Sequence, residues 1–88
     1  MKSDFEYSNI RSIAELTDLA LVAALRCQGF SIESINRDPK NYPKVSFLFF
    51  KSNQLQETIN AYWEGSLLIE PKTYWHAIRE LKSRIKAE

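Results

Sequence analysis

Few side chains in this sequence of 88 residues could do chemistry, because it has one histidine, His76, and one cysteine, Cys27. Catalysis needs a nucleophile with its base, a pair of carboxylates or a metal cluster. The one acid close to His76 in sequence is Glu80, and this i, i+4 spacing is typical of a surface pair rather than of a zinc site. Cys27 ends an apolar helical stretch, where a free cysteine behaves as a small hydrophobic residue. The sequence therefore predicts no metal, no cofactor and no enzymatic activity.

The last predicted helix carries a stripe of one aromatic and three basic residues. At positions i, i+4, i+7 and i+11 these are Trp75, Arg79, Lys82 and Lys86. The indole could stack on a base while the cations neutralise phosphates. Five basic residues stand against two acidic ones from Pro71 onward, and seven against nine before it. Basic residues also complement a helix C-terminus as a solvated face, so nucleic-acid binding is our second functional hypothesis.

The stretch KVSFLFFKS at 44–52 predicts a strand that is apolar on both faces. Alternation places Val45, Phe47 and Phe49 on one side and Leu48 and Phe50 on the other. No register can hide both sets under a single layer of helices. One of these two sets of side chains must therefore be covered by something other than the helices.

We expect Phe47 and Phe49 to face the core, because they pair naturally with Phe30 and Ile32 of the preceding strand. An apolar outer face then remains. Its residues, the candidate protein interface, are Ile35, Leu48 and Phe50. A second copy of the chain or another protein would cover this face. The alternative is that residues 1–15 fold over it through Phe5, Tyr7 and Ile10.

The patterns along the chain predict a single small α+β domain in the order αββαα, with an antiparallel β-hairpin covered on one face by three helices. The predicted elements are a helix at 19–28, strands at 30–35 and 45–51, a helix that ends at Glu64 and is capped by Asn53 or Ser52, and a helix from Pro71. Ser12–Glu15 also forms a capping box, so two starts of the first helix stay open. The segment at 66–70 is an extended linker or a third strand. We place the globular domain at 16–88 and leave 1–15 as a segment of uncertain structure.

The composition is typical of a folded chain, with 44% hydrophobic, 12% aromatic and 26% charged residues. The first residues do not resemble a secretory signal, and LALVAAL is too short to cross a bilayer. One unpaired cysteine agrees with a reducing compartment. We expect a cytoplasmic protein without membrane contact.

The sequence contains a set of short motifs in a recognisable order and spacing. They are Thr17-Asp18-Leu19, Ala23-Ala24, Gly29-Phe30, Phe47 with Phe49, Ala61-Tyr62-Trp63 with Gly65, Pro71, and Leu81-Lys82 with Arg84-Ile85. Together they resemble a family of small bacterial and phage proteins described only as a domain of unknown function. The resemblance covers roughly residues 16 to 86 and implies a stand-alone domain with no assigned activity. It brings no catalytic residues. Because the apolar outer face of the hairpin needs a cover, our leading hypothesis is a non-catalytic protein-interaction module.

Overall fold

A computed structural model of the chain describes residues 12–37 and 45–87. These residues form three strands and three helices. In chain order they are β1 (Ile13–Leu16), α1 (Leu19–Cys27), β2 (Ser34–Asn36), β3 (Ser46–Phe50), α2 (Asn53–Glu64) and α3 (Pro71–Lys86). All strand pairs are antiparallel, in the order β1-β3-β2. The predicted α+β class is confirmed.

The predicted hairpin is present, because β2 and β3 pair antiparallel. Its first strand is shorter than the predicted 30–35 and begins at Ser34. The reason lies at the end of α1, where Gly29 has a φ of 96° and the N–H of Phe30 donates to the carbonyl of Leu25. Arg26 also donates to the carbonyl of Phe30. The backbone of Phe30 therefore completes the helix end instead of pairing with β3.

The sheet has a third strand, β1, which we did not predict. Ile13 lies opposite Phe50, and Leu16 lies opposite Phe47. The earlier of the two helix starts is therefore wrong. The carboxylate of Asp18 accepts hydrogen bonds from the N–H groups of Ala20 and Leu21, so α1 begins after Asp18. The sheet therefore includes residues that precede position 16, where we placed the start of the globular domain.

The segment at 66–70 forms no strand and connects α2 to α3. Gly65 ends α2 with a φ of 82°, in the left-handed region that suits glycine. The carboxylate of Glu70 then accepts hydrogen bonds from the N–H groups of Lys72 and Thr73, at 3.1 and 2.8 Å, and so starts α3. Of the two alternatives left open for this segment, the linker is correct.

The core lies between one face of the sheet and the helices. Its fully buried larger side chains are Val22, Leu25, Phe47, Phe49, Leu55 and Leu81. Phe30 and Ile32 pack against this cluster, as predicted. The assignment of Ile35 to the outer face is wrong. Ile35 lies opposite Phe47 and packs on the core, because the irregular backbone at 30–33 breaks the alternation expected between Ile32 and Ile35.

Three side-chain hydrogen bonds, two from Arg37 and one from Tyr74, tie distant parts of the chain to α3. Arg37 donates to the carbonyls of Arg84 and Ile85, at 2.6 and 2.9 Å, near the C-terminal end of the helix. The hydroxyl of Tyr74 donates to the carbonyl of Ala20 in α1 at 3.1 Å. The bonds from Arg37 satisfy carbonyl groups in the last turn of α3, which have no partner within the helix. The bond from Tyr74 joins α3 to α1. Within 12–37 and 45–87, each helix is too short or too polar to cross a membrane.

Candidate functional site

The face of the sheet that points away from the core is the first candidate surface. We call it the outer face. The register assigns to it Ile13, Glu15, Ser34, Asn36, Ser46, Leu48 and Phe50. Ile13 is 42% exposed and Phe50, directly opposite it, is 36% exposed. Two large apolar side chains therefore lie side by side at one end of this face.

Polar groups lie next to this apolar pair, toward the other end of the outer face. Leu48, which is half-buried, lies between Glu15 of β1 and Ser34 of β2. The side-chain amide of Asn36 donates to the carboxylate of Glu15 at 3.5 Å, so the contact crosses β3 from one edge strand to the other. Apolar side chains bordered by polar ones are the composition found at protein interfaces.

The structure places the predicted interface residues on two different faces of the sheet. Leu48 and Phe50 lie on the outer face, and Ile35 lies on the core side. Ile13 belongs to the face but was missed, because β1 was not recognised. The four residues IAEL do not alternate clearly in hydropathy, so the sequence held no clear signal for this strand. Phe5, Tyr7 and Ile10, the alternative cover, lie outside the described residues.

The basic stripe of α3 is exposed as predicted. Trp75 is 55% exposed, and the side chains of Arg79, Lys82 and Lys86 are all exposed on the same helix. Arg37, whose guanidinium contacts the last turn of α3, brings a further positive charge to this end of the molecule. Sequence reasoning could not place Arg37 there, because it comes from the far end of β2.

The reactive side chains are dispersed. Glu80 lies 3.9 Å from the guanidinium of Arg26, so its ionic partner is Arg26 rather than the exposed His76. Burial raises the pKa of the half-buried Cys27 thiol, and the charge of Arg26 opposes this shift. In the described part of the chain, His, Cys, Asp and Glu form no group of three or more able to hold a metal ion.

A third surface surrounds the linker between α2 and α3. A cavity of about 330 Å³ is lined by Tyr62, Leu67, Ile69, Pro71 and Tyr74. Leu68, between two of the lining residues, is 87% exposed, and Trp63 is 63% exposed. The ring of Trp63 contacts that of Tyr62 edge to face at 4.9 Å. We call Trp63, Leu68 and the five lining residues the linker surface.

The two tyrosines of the linker surface belong partly to the core. Both pack against the buried cluster. Burial raises the pKa of both hydroxyls, and the negative charge of Asp18 raises each further. The hydroxyl of Tyr74 points toward α1, where it donates to the carbonyl of Ala20. Trp63 and Leu68 were not predicted as exposed contact residues.

The chain is a small α+β domain with a three-stranded antiparallel sheet. A family model for a domain of unknown function, DUF5659, matches residues 11–87, so the chain belongs to that family. The predicted resemblance to a family without an assigned activity is confirmed. The match begins before β1 and so includes all three strands. No curated protein and no solved structure matches the chain.

Proposed function

We propose that this chain is a non-catalytic protein-interaction module whose contact surface is the outer face of the sheet. The observation that carries the proposal is the exposure of Ile13 beside Phe50 on a sheet whose other face is buried under helices. Covering a large apolar side chain is worth roughly 1.5 to 3 kcal/mol if it becomes fully buried. Such a face gives a partner a source of binding free energy.

The geometry of the face supports a protein partner. With Ile13, the residues Leu48 and Phe50 form an apolar patch that runs along β3 from one end of the face, and Glu15 and Asn36 supply hydrogen-bonding groups beside it. Central apolar contacts with a polar rim give both affinity and specificity. Within the described residues β1 pairs on one side only, with β3, so a partner strand can also add to its edge. The expected partner is a protein with an apolar, strand-forming segment.

The experiment compares two substitutions that place an aspartate on different surfaces. The tagged chain is purified from its native cells, and its mass and composition are measured by size-exclusion chromatography with light scattering. We expect the wild type and Leu68→Asp to elute with the same protein partner and Ile13→Asp to elute without it. Retention of the partner by Ile13→Asp would contradict the proposal, provided that circular dichroism shows both variants folded.

The second candidate function is nucleic-acid binding through α3. The specific observation in its favour is the exposed Trp75 beside Arg79 and Lys82, with Arg37 at the end of the same helix. Each phosphate that a cation neutralises releases a counterion, so binding would weaken steeply as salt rises. Exposed basic residues on a helix are also common without any ligand, which is why we rank this function second.

The test of this second function uses fluorescence anisotropy with labelled single-stranded DNA and RNA at increasing salt. We expect weak or no binding by the wild type. A micromolar, salt-dependent complex that disappears in the double variant Arg79→Glu with Lys82→Glu would make nucleic-acid binding the leading function. Ile13→Asp is the matched control, because it adds a negative charge away from α3.

A further inference from the structure

We propose that the partner protein binds by adding an extended segment to β1, where the segment forms backbone hydrogen bonds with Ile13 and Glu15. This mode of binding rests on the function proposed above and specifies which part of the partner makes the contact. We call the side of β1 that faces away from β3 the β1 edge. Within the described residues, β1 pairs with β3 alone.

The hydrogen bonds of the sheet decide which backbone groups reach the β1 edge. The N–H of Lys51 donates to the carbonyl of Ser12, directly before β1, at 3.0 Å. In antiparallel pairing, residues that exchange hydrogen bonds with the neighbouring strand alternate with residues that do not. The backbone groups of Ser12 and Ala14 therefore point toward β3. Those of Ile13 and Glu15 point to the β1 edge.

A second hydrogen bond, on the other side of β3, shows the same alternation. The N–H of Glu33 donates to the carbonyl of Leu48 at 2.7 Å, so the backbone of Leu48 points toward β2. Leu48 therefore does not exchange hydrogen bonds with Glu15, which lies opposite it in β1. Both bonds thus place the N–H and C=O of Glu15 at the β1 edge, where a partner strand can reach them.

The β1 edge suits a partner strand better than the edge of β2 does. Glu33 donates to Leu48 although Ser34 is the residue paired with Leu48, so the backbone is irregular where β2 begins. At the other end of β2, the guanidinium of Arg37 is bound to α3. β1 keeps a regular register with β3 along all of its 4 residues. A regular edge is what strand addition requires.

The side chains beside the β1 edge define the chemistry of the partner segment. Ile13 and Glu15 place their side chains on the outer face, and the residues opposite them in an added strand are two apart and face the same way. An apolar side chain opposite Ile13 covers it. Glu15 is the charged member of the outer face and contacts the neutral amide of Asn36, so a basic side chain complements it and gives specificity. We expect an extended segment with an apolar and a basic residue two positions apart.

Proline substitutions in the full chain test the direction of these backbone groups. Proline lacks an N–H and is tolerated in an edge strand where that N–H would face away from the sheet. Glu15→Pro should therefore leave the chain folded, whereas Ala14→Pro removes a hydrogen bond to β3 and should destabilise it. Urea unfolding followed by circular dichroism measures the difference. A chain that tolerates Ala14→Pro and is unfolded by Glu15→Pro would have the opposite alternation and would overturn the proposal.

The binding experiment uses the protein that copurifies with the wild-type chain from its native cells. After isolation, that protein is titrated with each variant by biolayer interferometry. We expect Glu15→Pro to raise the Kd at least about tenfold, because the partner loses a backbone hydrogen bond and meets the proline ring. The matched control Glu15→Thr keeps the N–H and loses only an exposed charge, so it should raise the Kd about threefold or less.

Amide hydrogen exchange measured by NMR reads the strand pairing without any substitution. In the isolated chain, the N–H groups of Ile13 and Glu15 should exchange faster than that of Ala14, which is bonded to β3. Addition of the copurified protein should slow the exchange of Ile13 and Glu15 at least about tenfold, because these groups then donate to the added strand.

Two results would overturn the proposal and leave the proposed function intact, provided that Ile13→Asp abolishes binding. One is a folded Glu15→Pro variant that binds as tightly as Glu15→Thr. The other is unchanged exchange of the Ile13 and Glu15 amides in the complex, which would mean that side chains alone make the contact. Binding that survives in Ile13→Asp, or the absence of any copurifying protein, would contradict the proposed function itself and with it the strand addition.

Discussion

At the scale of single residues, the carboxylate of Glu70 has a defined structural role. Hydrogen bonds from the hydroxyl of Thr73 and from the N–H groups of Thr73 and Lys72 lower the pKa of Glu70. A carboxyl group whose pKa is lower in the folded chain stabilises the fold fully above its unfolded-state pKa. This contribution is lost as the pH falls through the folded-state pKa.

We therefore predict that Glu70→Gln destabilises the chain at neutral pH and that its difference from the wild type shrinks as the solution becomes acidic. The measurement is urea unfolding at a series of pH values. Thr73→Val, which removes the largest cause of the pKa shift, should reduce the same pH dependence. A difference between wild type and Glu70→Gln that is constant down to strongly acidic pH would show that the charge of Glu70 does not act in this way.

Residue patterns were sufficient to predict the buried pair Phe47 and Phe49, because alternation along a strand has a period of two. They failed for Ile35, where the same rule gave the wrong face. The rule holds only inside a regular strand, and the backbone before Ser34 is irregular because the end of α1 uses the backbone groups of Phe30. The exposure of Leu68 could not be predicted either, since the exposure of a linker residue depends on how the two helices around it pack.

At the scale of elements, β1 is the strand that determines the extent of the outer face. The register places Ala14 on the core side, opposite Phe49, and Ile13 on the outer side, opposite Phe50. The same substitution at these adjacent positions should therefore have opposite consequences. A charge at position 14 meets the apolar core without a partner, whereas a charge at position 13 stays in contact with water.

We predict that Ala14→Asp lowers the free energy of unfolding by roughly 2 to 4 kcal/mol and that Ile13→Asp lowers it by about 1 kcal/mol or less. Urea denaturation followed by circular dichroism measures both. Equal destabilisation by the two substitutions would mean that β1 does not have the register described. The comparison also establishes that Ile13→Asp is suitable for the binding experiments.

The three helices were predictable from signals at their starts, namely Thr17-Asp18 before α1, Asn53 or Ser52 before α2 and Pro71 in α3. The structure shows the caps themselves. Asp18, Ser52 and Glu70 each accept hydrogen bonds from the first turn of a helix, and Gly29 and Gly65 follow the ends of α1 and α2. β1 was not predictable in the same way. Its four residues are too few for a clear alternation, and Ser12 with Glu15 also matches a capping box. The strand forms because β3 offers it a free edge, which is a tertiary effect.

At the scale of the whole molecule, the described residues present three separate surfaces around one small core. The outer face carries apolar residues with a polar rim, α3 carries exposed cations, and the linker surface carries a cavity beside Leu68. Each surface has a substitution that changes it alone, so binding of the proposed partner and binding of nucleic acid can be distinguished by the same panel of variants. The free-energy effects of substitutions on different surfaces should be additive.

The central claim is that a protein partner contacts the outer face, and site-specific photo-crosslinking in the native cells tests it most directly. A photoreactive amino acid replaces Ile13 on the outer face or, as the matched control, the exposed Glu57 on α2. We predict one discrete adduct with another protein from position 13, none from position 57, and loss of the adduct when Leu48→Asp is added. The same adducts from both positions, or an adduct from position 13 that Leu48→Asp leaves intact in a folded chain, would contradict the account.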